Sequence, residues 1–287
     1  LFKNTELVMD FSTSIAVERK LANDEQTFRR CTSFLNPKGD DVVLLIEDKE
    51  RNTRLDLLEM DYYRNLIVDE RFSQHLEQTE TVRTNTFSCR SESMILNYEN
   101  VRVLSAIISK QIRKYYTSGQ ACLNIWHFDA EDGIVLSLPM TITNWHHEAL
   151  GGIQIYISDA VEKEIQTMTA TSPDKETGGC LFGSYDRDHN SIYVYYMIPA
   201  PMDSIHSPVS FVRGFNGLTA EYERITKLTY HQVRYLGEWH SHPNMPNTPS
   251  VTDKKQFEEL WEEQQSQDLP FVQMIYGNNG LFVTAAM

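Results

Sequence analysis

Residues Gly237–Asp253 read GEWHSHPNMPNTPSVTD and decide the fold of the C-terminal half of the chain. His240 and His242 are two residues apart at the end of a predicted strand, Val233–His240, so both side chains point to the same face of that strand. The loop that follows contains three prolines, which restrict its backbone and lead it to Asp253 in the first turn of a predicted helix. Two imidazole nitrogens and one carboxylate oxygen can therefore reach a single metal ion.

This set of ligand atoms predicts a catalytic zinc site. Two nitrogens and one oxygen leave the fourth tetrahedral position of Zn²⁺ open, which distinguishes catalytic from structural zinc sites. Zinc lowers the pKa of a water in that position to about 7 and polarises a scissile carbonyl group. A further carboxylate is then needed to accept the proton of the water and transfer it to the leaving amine.

The motif His-x-His, seven residues and Ser-x-x-Asp resembles the signature of the JAMM/MPN+ zinc metalloproteases, with His240, His242, Ser250 and Asp253 at its four positions. The family also has an upstream glutamate, which Glu176 matches in a Glu-Thr-Gly-Gly stretch. The resemblance implies that Glu176 is the general acid/base and that Ser250 stabilises the oxyanion by a hydrogen bond. Ser-Val-Thr-Asp is also a capping box that opens a helix, and both roles of Ser250 remain open.

The resemblance covers about residues 153–287. It implies a JAMM/MPN fold, which is a cytidine-deaminase-like α/β domain with a mixed sheet flanked by helices. It also implies a zinc-dependent isopeptidase or peptidase that cleaves after the C-terminus of a ubiquitin-like protein, either in a precursor or in a conjugate. The alternative is a non-catalytic scaffold or binding module of the same fold, which loss of the ligands would mark. A DNA-repair-associated relative is a third candidate, and the acidic charge argues against it.

The remaining polar and apolar residues around the motif have simpler interpretations. Glu238 is a rival catalytic carboxylate because it has the same strand parity as the two motif histidines, but an outer or surface position is preferred. Trp239 alternates with those histidines and is predicted to face the core. Cys180 lies in an apolar strand and is predicted to serve packing. Three further histidines are predicted to be solvated residues of loops or helices without ligand partners: His189, His206 and His231.

The N-terminal part alternates strands and helices, which favours an α/β class. Asp41–Glu47 is a continuous apolar run ending in acidic residues, as in a buried strand. Leu55–Val68 has helical spacing. Glu99–Tyr116 is predicted to be an amphipathic helix, because its apolar residues recur every three or four positions.

We predict two regions, 1–148 and 149–287, separated near the aperiodic segment Asn144–Gly152. The pattern of Leu7–Leu21 resembles the strand-to-helix turn of ThiF-like, ubiquitin-activating adenylation domains, which implies a partial Rossmann-like region. No Gly-x-Gly-x-x-Gly follows a strand, so this chain alone is not expected to bind a nucleotide or to adenylate a substrate. Cys89 is a candidate thioester-forming cysteine in this interpretation, although an ordinary buried or exposed thiol is favoured.

Composition restricts the partners and the compartment. The net charge of −14 argues against non-specific binding of nucleic acid. The four cysteines are far apart, so neither a disulfide framework nor a cysteine-rich metal site is indicated. Without a signal peptide or an apolar run of about 20 residues, a cytoplasmic protein with no membrane segment is expected. The chain begins at Leu1 rather than Met, which favours a fragment of a longer protein.

The two resemblances together imply the biological context. A region related to activating enzymes fused to a protease implies a ubiquitin-like protein and its conjugates as partners, together with a conjugating-enzyme-like protein. Similar prokaryotic fusions occur in ubiquitin-like conjugation systems, some of them linked to phage defence, and that context is implied by analogy.

Overall fold

The structure is a computed structural model, which describes residues 5–77 and 96–287. The chain divides into two compact units. The first comprises the described residues up to Ile142 together with Leu228–Tyr230, and the second comprises Thr143–Lys227 and His231–Met287. Among the helices of the described residues, none combines the length and the apolar character needed to cross a membrane.

The first unit contains a five-stranded sheet in the order β1-β2-β3-β4-β5. Its elements are β1 (Leu7–Asp10), α1 (Ile15–Ala22), β2 (Arg29–Leu35), β3 (Asp41–Ile46), α2 (Leu55–Val68), a 3₁₀ turn (Glu70–Phe72), α3 (Tyr98–Ser118), β4 (Cys122–Asp129) and β5 (Ile134–Pro139). Strands β1 and β2 are parallel, and the other neighbours are antiparallel. The unit is therefore a mixed α/β structure, and its Rossmann-like, ThiF-type character stays a prediction.

Helix α3 supplies much of the core of this unit. It buries Leu104, Ile108 and Ile112 in one cluster with side chains of β2, β3 and β4, among them Cys31 and Leu44. Every residue of β3 is buried, as its continuous apolar run predicts. The predicted amphipathic helix and the predicted buried strand are both confirmed.

The second unit contains a seven-stranded sheet in the order β14-β13-β12-β8-β9-β7-β6 and a separate hairpin, β10-β11. Its elements are β6 (Trp145–Leu150), β7 (Ile153–Ser158), α4 (Asp159–Thr171), β8 (Gly178–Asp186), β9 (Ser191–Pro199), β10 (Ile205–Ser207), β11 (Ser210–Val212), α5 (Leu218–Leu228), β12 (Arg234–Ser241), α6 (Val251–Ser266), β13 (Phe271–Gly277) and β14 (Gly280–Ala286). The sheet is mixed, since β12 runs parallel to β13 and antiparallel to β8. Its core packs Val161 and Ile165 of α4 against strand side chains such as Trp239.

The segment Asn144–Gly152, interpreted from the sequence as an aperiodic boundary, is instead mostly the strand β6 and its turn. This strand lies at the edge of the sheet and half of its side chains are exposed, so it carries no hydrophobic pattern. Gly151 and Gly152 form the turn to β7, with φ angles of 57° and 92° that favour glycine. The change of unit falls a few residues earlier, between Ile142 and Thr143.

Strand β12 approaches its neighbour closely at Gly237. This residue has a φ of 152°, and a Cβ atom at its position would lie 1.8 Å from the carbonyl oxygen of Val272. Gly237→Ala is therefore expected to lower the free energy of unfolding by at least about 2 kcal/mol more than Gly280→Ala. Gly280 also has a positive φ, but nothing lies within 4 Å of its would-be Cβ. Urea unfolding of both variants measures the difference, and equal losses would contradict the backbone clash.

Candidate active site

Side chains alternate along β12, so that the two motif histidines face away from the core. Trp239 is 1% exposed and packs in the core of the second unit, as predicted from its alternation with the histidines. His240 points to the opposite face, and His242 follows directly after the end of the strand. The backbone N–H of His242 donates to the carbonyl of Tyr276 at 2.8 Å, which extends the attachment to β13 by one residue. Both imidazoles are therefore held by a central strand of the sheet.

Helix α6 brings a carboxylate to the two imidazoles. Ser250 caps the helix, and its Oγ accepts a hydrogen bond of 3.1 Å from the backbone N–H of Asp253. In return, Oδ2 of Asp253 accepts one of 2.6 Å from the backbone N–H of Ser250. This reciprocal capping box fixes the start of the helix and the direction of the Asp253 side chain.

The three side chains converge on one point. The Nε2 atoms of His240 and His242 are 3.2 Å apart. Each of them also lies close to an oxygen of Asp253, at 3.3 Å for His240 and 3.4 Å for His242. The 3.3 Å distance involves Oδ1 of Asp253 and the 3.4 Å distance involves Oδ2. One ligand atom from each of the three residues lies within 4.8 Å of the other two, so these residues can hold a metal ion.

A backbone carbonyl sets the tautomer of one imidazole. Nδ1 of His242 lies 3.0 Å from the carbonyl oxygen of Pro246, which can only accept a hydrogen bond. Nδ1 therefore carries the proton, and the lone pair of Nε2 is directed at the point of convergence. The proline-rich loop thus orients a ligand as well as returning the chain to α6.

The carboxylate of Asp253 is kept ionised. Burial raises its pKa, but hydrogen bonds from His240 and Ser250 outweigh burial and hold the pKa of Asp253 well below its usual value. A carboxylate that stays charged while partly buried is a suitable oxygen ligand for a divalent cation.

Glu176 lies beside this cluster and is 6% exposed. It precedes β8, and its backbone N–H donates to the carbonyl of Ser207 in the hairpin at 2.8 Å. Burial raises the pKa of the Glu176 carboxyl, although the nearby imidazoles of His240 and His242 act in the opposite direction. The raised pKa makes this carboxylate a better proton acceptor than an exposed glutamate.

One cavity of about 480 Å³ connects these groups. Its lining includes Glu176, Phe211, Glu238, His240, His242, Met245, Ser250, Asp253 and Gln256. The side chains predicted from the sequence to be functional, which belong to Glu176, to β12 and to the start of α6, thus face a common space. An open cleft next to three convergent ligand atoms is the arrangement expected of a metal-dependent enzyme.

Glu238 faces the same cavity but is bound to other side chains. Its Oε1 accepts a hydrogen bond of 2.8 Å from Nε of Arg213, and the hydroxyl of Tyr235 lies 3.3 Å from the same oxygen. Nε2 of Gln256 approaches its other oxygen at 3.5 Å. The charge of Glu238 is balanced by Arg213, which agrees with the preferred interpretation of Glu238 as a residue outside the reacting groups.

Comparison with known proteins identifies the family of the second unit. Residues 158–284 match the family model of prokaryotic homologs of the JAB domain. A protein of Pseudomonas aeruginosa (strain BWHPSA011 / Pa011) named CD-NTase/cGAS isopeptidase is 30% identical over 122 residues, which cover 41% of this chain and 73% of that protein. The chain belongs to the prokaryotic JAB family.

Two further relatives match part of this chain. A protein of Enterobacter hormaechei subsp. hoffmannii (strain UCI 50), also named CD-NTase/cGAS isopeptidase, is 29% identical over 125 residues, or 44% of this chain and 68% of that protein. A probable metalloprotease of Sinorhizobium fredii (strain NBRC 101917 / NGR234) is 29% identical over 102 residues, or 35% of this chain and 62% of that protein. The metalloprotease name and the family together suggest a metal in this domain.

One residue of the JAB domain next to the cavity was missed from the sequence. His206 was predicted to be solvated, and this is wrong: it lies half-buried in β10, with Nδ1 2.8 Å from the carbonyl oxygen of Glu176. Thirty positions separate the two residues, so no local pattern reveals the contact. Nδ1 of His189 pairs instead with a carboxylate oxygen of Asp186, at 2.7 Å.

Cys180, the cysteine of the described residues 143–287, offers no nucleophile to this site. Cys180 is buried in β8 of the JAB domain, and burial raises the pKa of its thiol to about 12, which confirms that it serves packing. The candidate thioester cysteine, Cys89, lies outside the described residues.

A second group with metal-ligand spacing lies in the first unit, formed by Asp40, Asp41 and His127. The carboxylate of Asp41 is already bonded to Nδ1 of His75 at 2.6 Å and to Nδ1 of His127 at 2.8 Å. Burial raises the pKa of Asp41, but these two hydrogen bonds more than offset it and lower the pKa. The bond between His127 and Asp41 accounts for the close approach of these two side chains, and Asp40 is bonded to Nδ2 of Asn36 at 2.7 Å.

Proposed function

We propose that the JAB domain is a zinc-dependent isopeptidase or peptidase of the JAMM type, which cleaves after the C-terminus of a ubiquitin-like protein. The observation that carries this proposal is the convergence of three side chains, with each imidazole Nε2 3.3–3.4 Å from an oxygen of Asp253, beside the buried carboxylate of Glu176. The names of the relatives, two isopeptidases and a probable metalloprotease, support a peptidase-type hydrolase.

His240, His242 and Asp253 would hold the zinc ion. Their donor set of two imidazole nitrogens and one carboxylate oxygen is one that catalytic zinc sites use. When bound, zinc supplies Lewis acidity towards the scissile carbonyl and lowers the pKa of a coordinated water. His242 is oriented for this by the carbonyl of Pro246, and Asp253 by the backbone of Ser250.

Glu176 would move the proton. It accepts a proton from the attacking water and delivers it to the amine that leaves when the isopeptide or peptide bond breaks. Its burial favours this role, since burial raises the pKa of the carboxyl.

Ser250 would stabilise the developing oxyanion. Its Oγ accepts the hydrogen bond from Asp253 N–H, which leaves the hydroxyl proton available for donation into the cavity. Capping and catalysis are therefore compatible, because the cap uses the lone pair of the hydroxyl and the oxyanion would use its proton.

The catalytic role of Ser250 can be separated from its cap. Ser250→Ala is expected to lower kcat by about 10²–10³-fold, the usual effect of removing an oxyanion donor. It is also expected to cost about 1 kcal/mol of stability through the lost cap. Ser158→Ala is the matched control, because Ser158 caps α4 through a bond of 3.3 Å to Ala160 N–H and does not line the cavity. Equal kcat values for the two variants would leave Ser250 with the capping role alone.

The first unit would be the C-terminal part of a ThiF-like activating region. Strand β1 ends at Asp10 and is followed by α1, which Ser14 caps through a hydrogen bond from Val17 N–H. This strand-to-helix pattern supports the resemblance. The partners we propose are a ubiquitin-like protein, its conjugates and a conjugating-enzyme-like protein. The CD-NTase/cGAS isopeptidase names of two relatives support an isopeptide-linked conjugate as substrate. The prokaryotic defence context rests on the analogy with similar fusions alone.

Elemental analysis and a cleavage assay test this function with the whole chain. After incubation with zinc and removal of free metal, about one equivalent of zinc is expected per chain. The loaded protein is expected to cleave a ubiquitin-like protein fused through its C-terminus to a short peptide. Stoichiometric zinc without cleavage of any candidate fusion would instead favour the non-catalytic scaffold.

A further inference from the structure

The carboxylate of Glu176 depends on its backbone for its position. Within the described ranges 5–77 and 96–287, no hydrogen bond to this carboxylate is present, although the residue is buried. Its main chain, in contrast, is bonded on both sides. The N–H donates to the carbonyl of Ser207 at 2.8 Å, and the carbonyl accepts from Nδ1 of His206, also at 2.8 Å. The next residue, Thr177, is bonded to Ser241 of β12.

The hairpin β10-β11 is thus attached to the peptide groups of the proposed catalytic residue. Two of its consecutive residues, His206 and Ser207, contribute one bond each. The bond from His206 has a fixed direction, since a carbonyl oxygen can only accept and Nδ1 must donate. It is also the only one of these two bonds that a side chain supplies, so substitution can remove it without changing the backbone.

The hairpin is itself anchored to β8, and the residue that follows it is anchored to β12, the strand that carries His240. Phe211 lies over Gly178, where a Cβ atom would come within 2.5 Å of the ring carbon Cε1. The rings of His206 and Phe211 pack with their centroids 5.3 Å apart. Directly after the hairpin, Arg213 binds Glu238 of β12 at 2.8 Å, two residues before His240. The hairpin therefore connects Glu176 to the part of the sheet that holds the proposed metal ligands.

We infer that His206 is a positioning residue for Glu176, holding its peptide group so that the carboxylate faces the three metal-ligand atoms across the cavity. This inference rests on the proposed function and adds a residue to it. His206 itself does not contact the reacting atoms. Its imidazole acts through the Glu176 carbonyl, and its removal lets the segment that carries the carboxylate shift.

Two substitutions separate the hydrogen bond from the packing. His206→Phe keeps an aromatic ring against Phe211 but removes the donor. His206→Asn restores a donor near the position of Nδ1 while removing the ring. In the zinc-loaded whole chain, His206→Phe is expected to lower kcat by about 10–100-fold, because small misplacements of a catalytic group have effects of this size. KM is expected to change less than about threefold, the zinc content is expected to stay the same, and His206→Asn is expected to recover most of kcat.

Hydrogen exchange gives a readout that does not depend on activity. The amide of Glu176 is protected by the carbonyl of Ser207. Exchange at this amide is expected to be at least about tenfold faster in His206→Phe than in the unchanged chain, with and without zinc, and to return towards the original rate in His206→Asn. Exchange in α4, which the hairpin does not hold, is expected to be the same in all three proteins and serves as the internal control.

The outcomes distinguish this inference from the function on which it rests. If the unchanged chain cleaves its fusion and His206→Phe has a kcat within twofold of it, the positioning role is wrong while the protease assignment stands. An equal loss in His206→Phe and His206→Asn also overturns it, because packing and not the hydrogen bond would then matter. If the unchanged chain shows no cleavage at all, the exchange rate at Glu176 decides: faster exchange in His206→Phe supports the anchoring, and an unaltered rate overturns it.

Discussion

Replacing Glu176 with glutamine is expected to lower kcat for cleavage of a ubiquitin-like fusion by about 10²–10⁴-fold, the range that general acid–base catalysis contributes. Glutamine has nearly the same shape as glutamate, but it cannot accept the proton of the attacking water. The zinc content is expected to be unchanged, because Glu176 does not belong to the three side chains whose ligand atoms converge. Steady-state kinetics with elemental analysis of the same sample measures both quantities.

Glu238→Gln is the matched control for this variant. Glu238 lines the same cavity and undergoes the same chemical change, but its carboxylate is bound to Arg213 at 2.8 Å. We expect kcat to fall less than about tenfold, since the substitution weakens a buried ion pair without removing a proton acceptor from the reaction. A larger loss for Glu238→Gln than for Glu176→Gln would transfer the role of general base to Glu238.

The second large effect is expected from His240→Ala, which removes one of the three convergent ligand atoms. Outer partners of metal ligands alone typically contribute 10–100-fold to metal affinity, so loss of a ligand is expected to weaken zinc binding by more than about 100-fold. Cleavage activity is expected to be lost with the metal. Zinc competition with a chromogenic chelator measures the affinity, and the fusion-cleavage assay measures the activity.

His189→Ala controls for the removal of an imidazole from the same domain. His189 is bonded to Asp186 at 2.7 Å and does not line the cavity. Its replacement is expected to leave both zinc affinity and kcat within about twofold of the unchanged chain, because it touches neither the ligands nor the hairpin. Retention of tight zinc binding in His240→Ala would show that the ion is held by other residues, and the proposed zinc centre would be abandoned.

The convergence at the proposed metal centre followed from local rules of chain geometry. Alternation along a strand put His240 and His242 on one face and Trp239 on the other, and the first turn of a helix brought Asp253 back to them. Each of these relations spans a few residues, or one short loop stiffened by prolines. The sequence therefore carried enough information to expect the three ligand side chains together, and the structure has one ligand atom of each within 4.8 Å of the others.

Other features depend on partners that are distant in the sequence. The contact between His206 and Glu176 requires a short hairpin to fold back on the start of β8, and strands of three residues leave no readable pattern. The edge strand β6 was interpreted as part of a boundary because the segment has paired glycines and no hydrophobic periodicity. The position of Glu238 could be foreseen from strand parity, but its neutralisation by Arg213 could not, since Arg213 lies outside any motif.

The two faces of β12 have a consequence for how this sequence can vary. Even-numbered positions hold the imidazoles, and the odd-numbered Trp239 fills the interior, so a single inserted or deleted residue between Gly237 and Ser241 would exchange their sides. The indole would then enter the cleft, and the imidazoles would be forced into an apolar interior. A substitution in this strand changes one side chain and can be compensated individually. A change in the length of the strand would disrupt both the fold and the catalytic site.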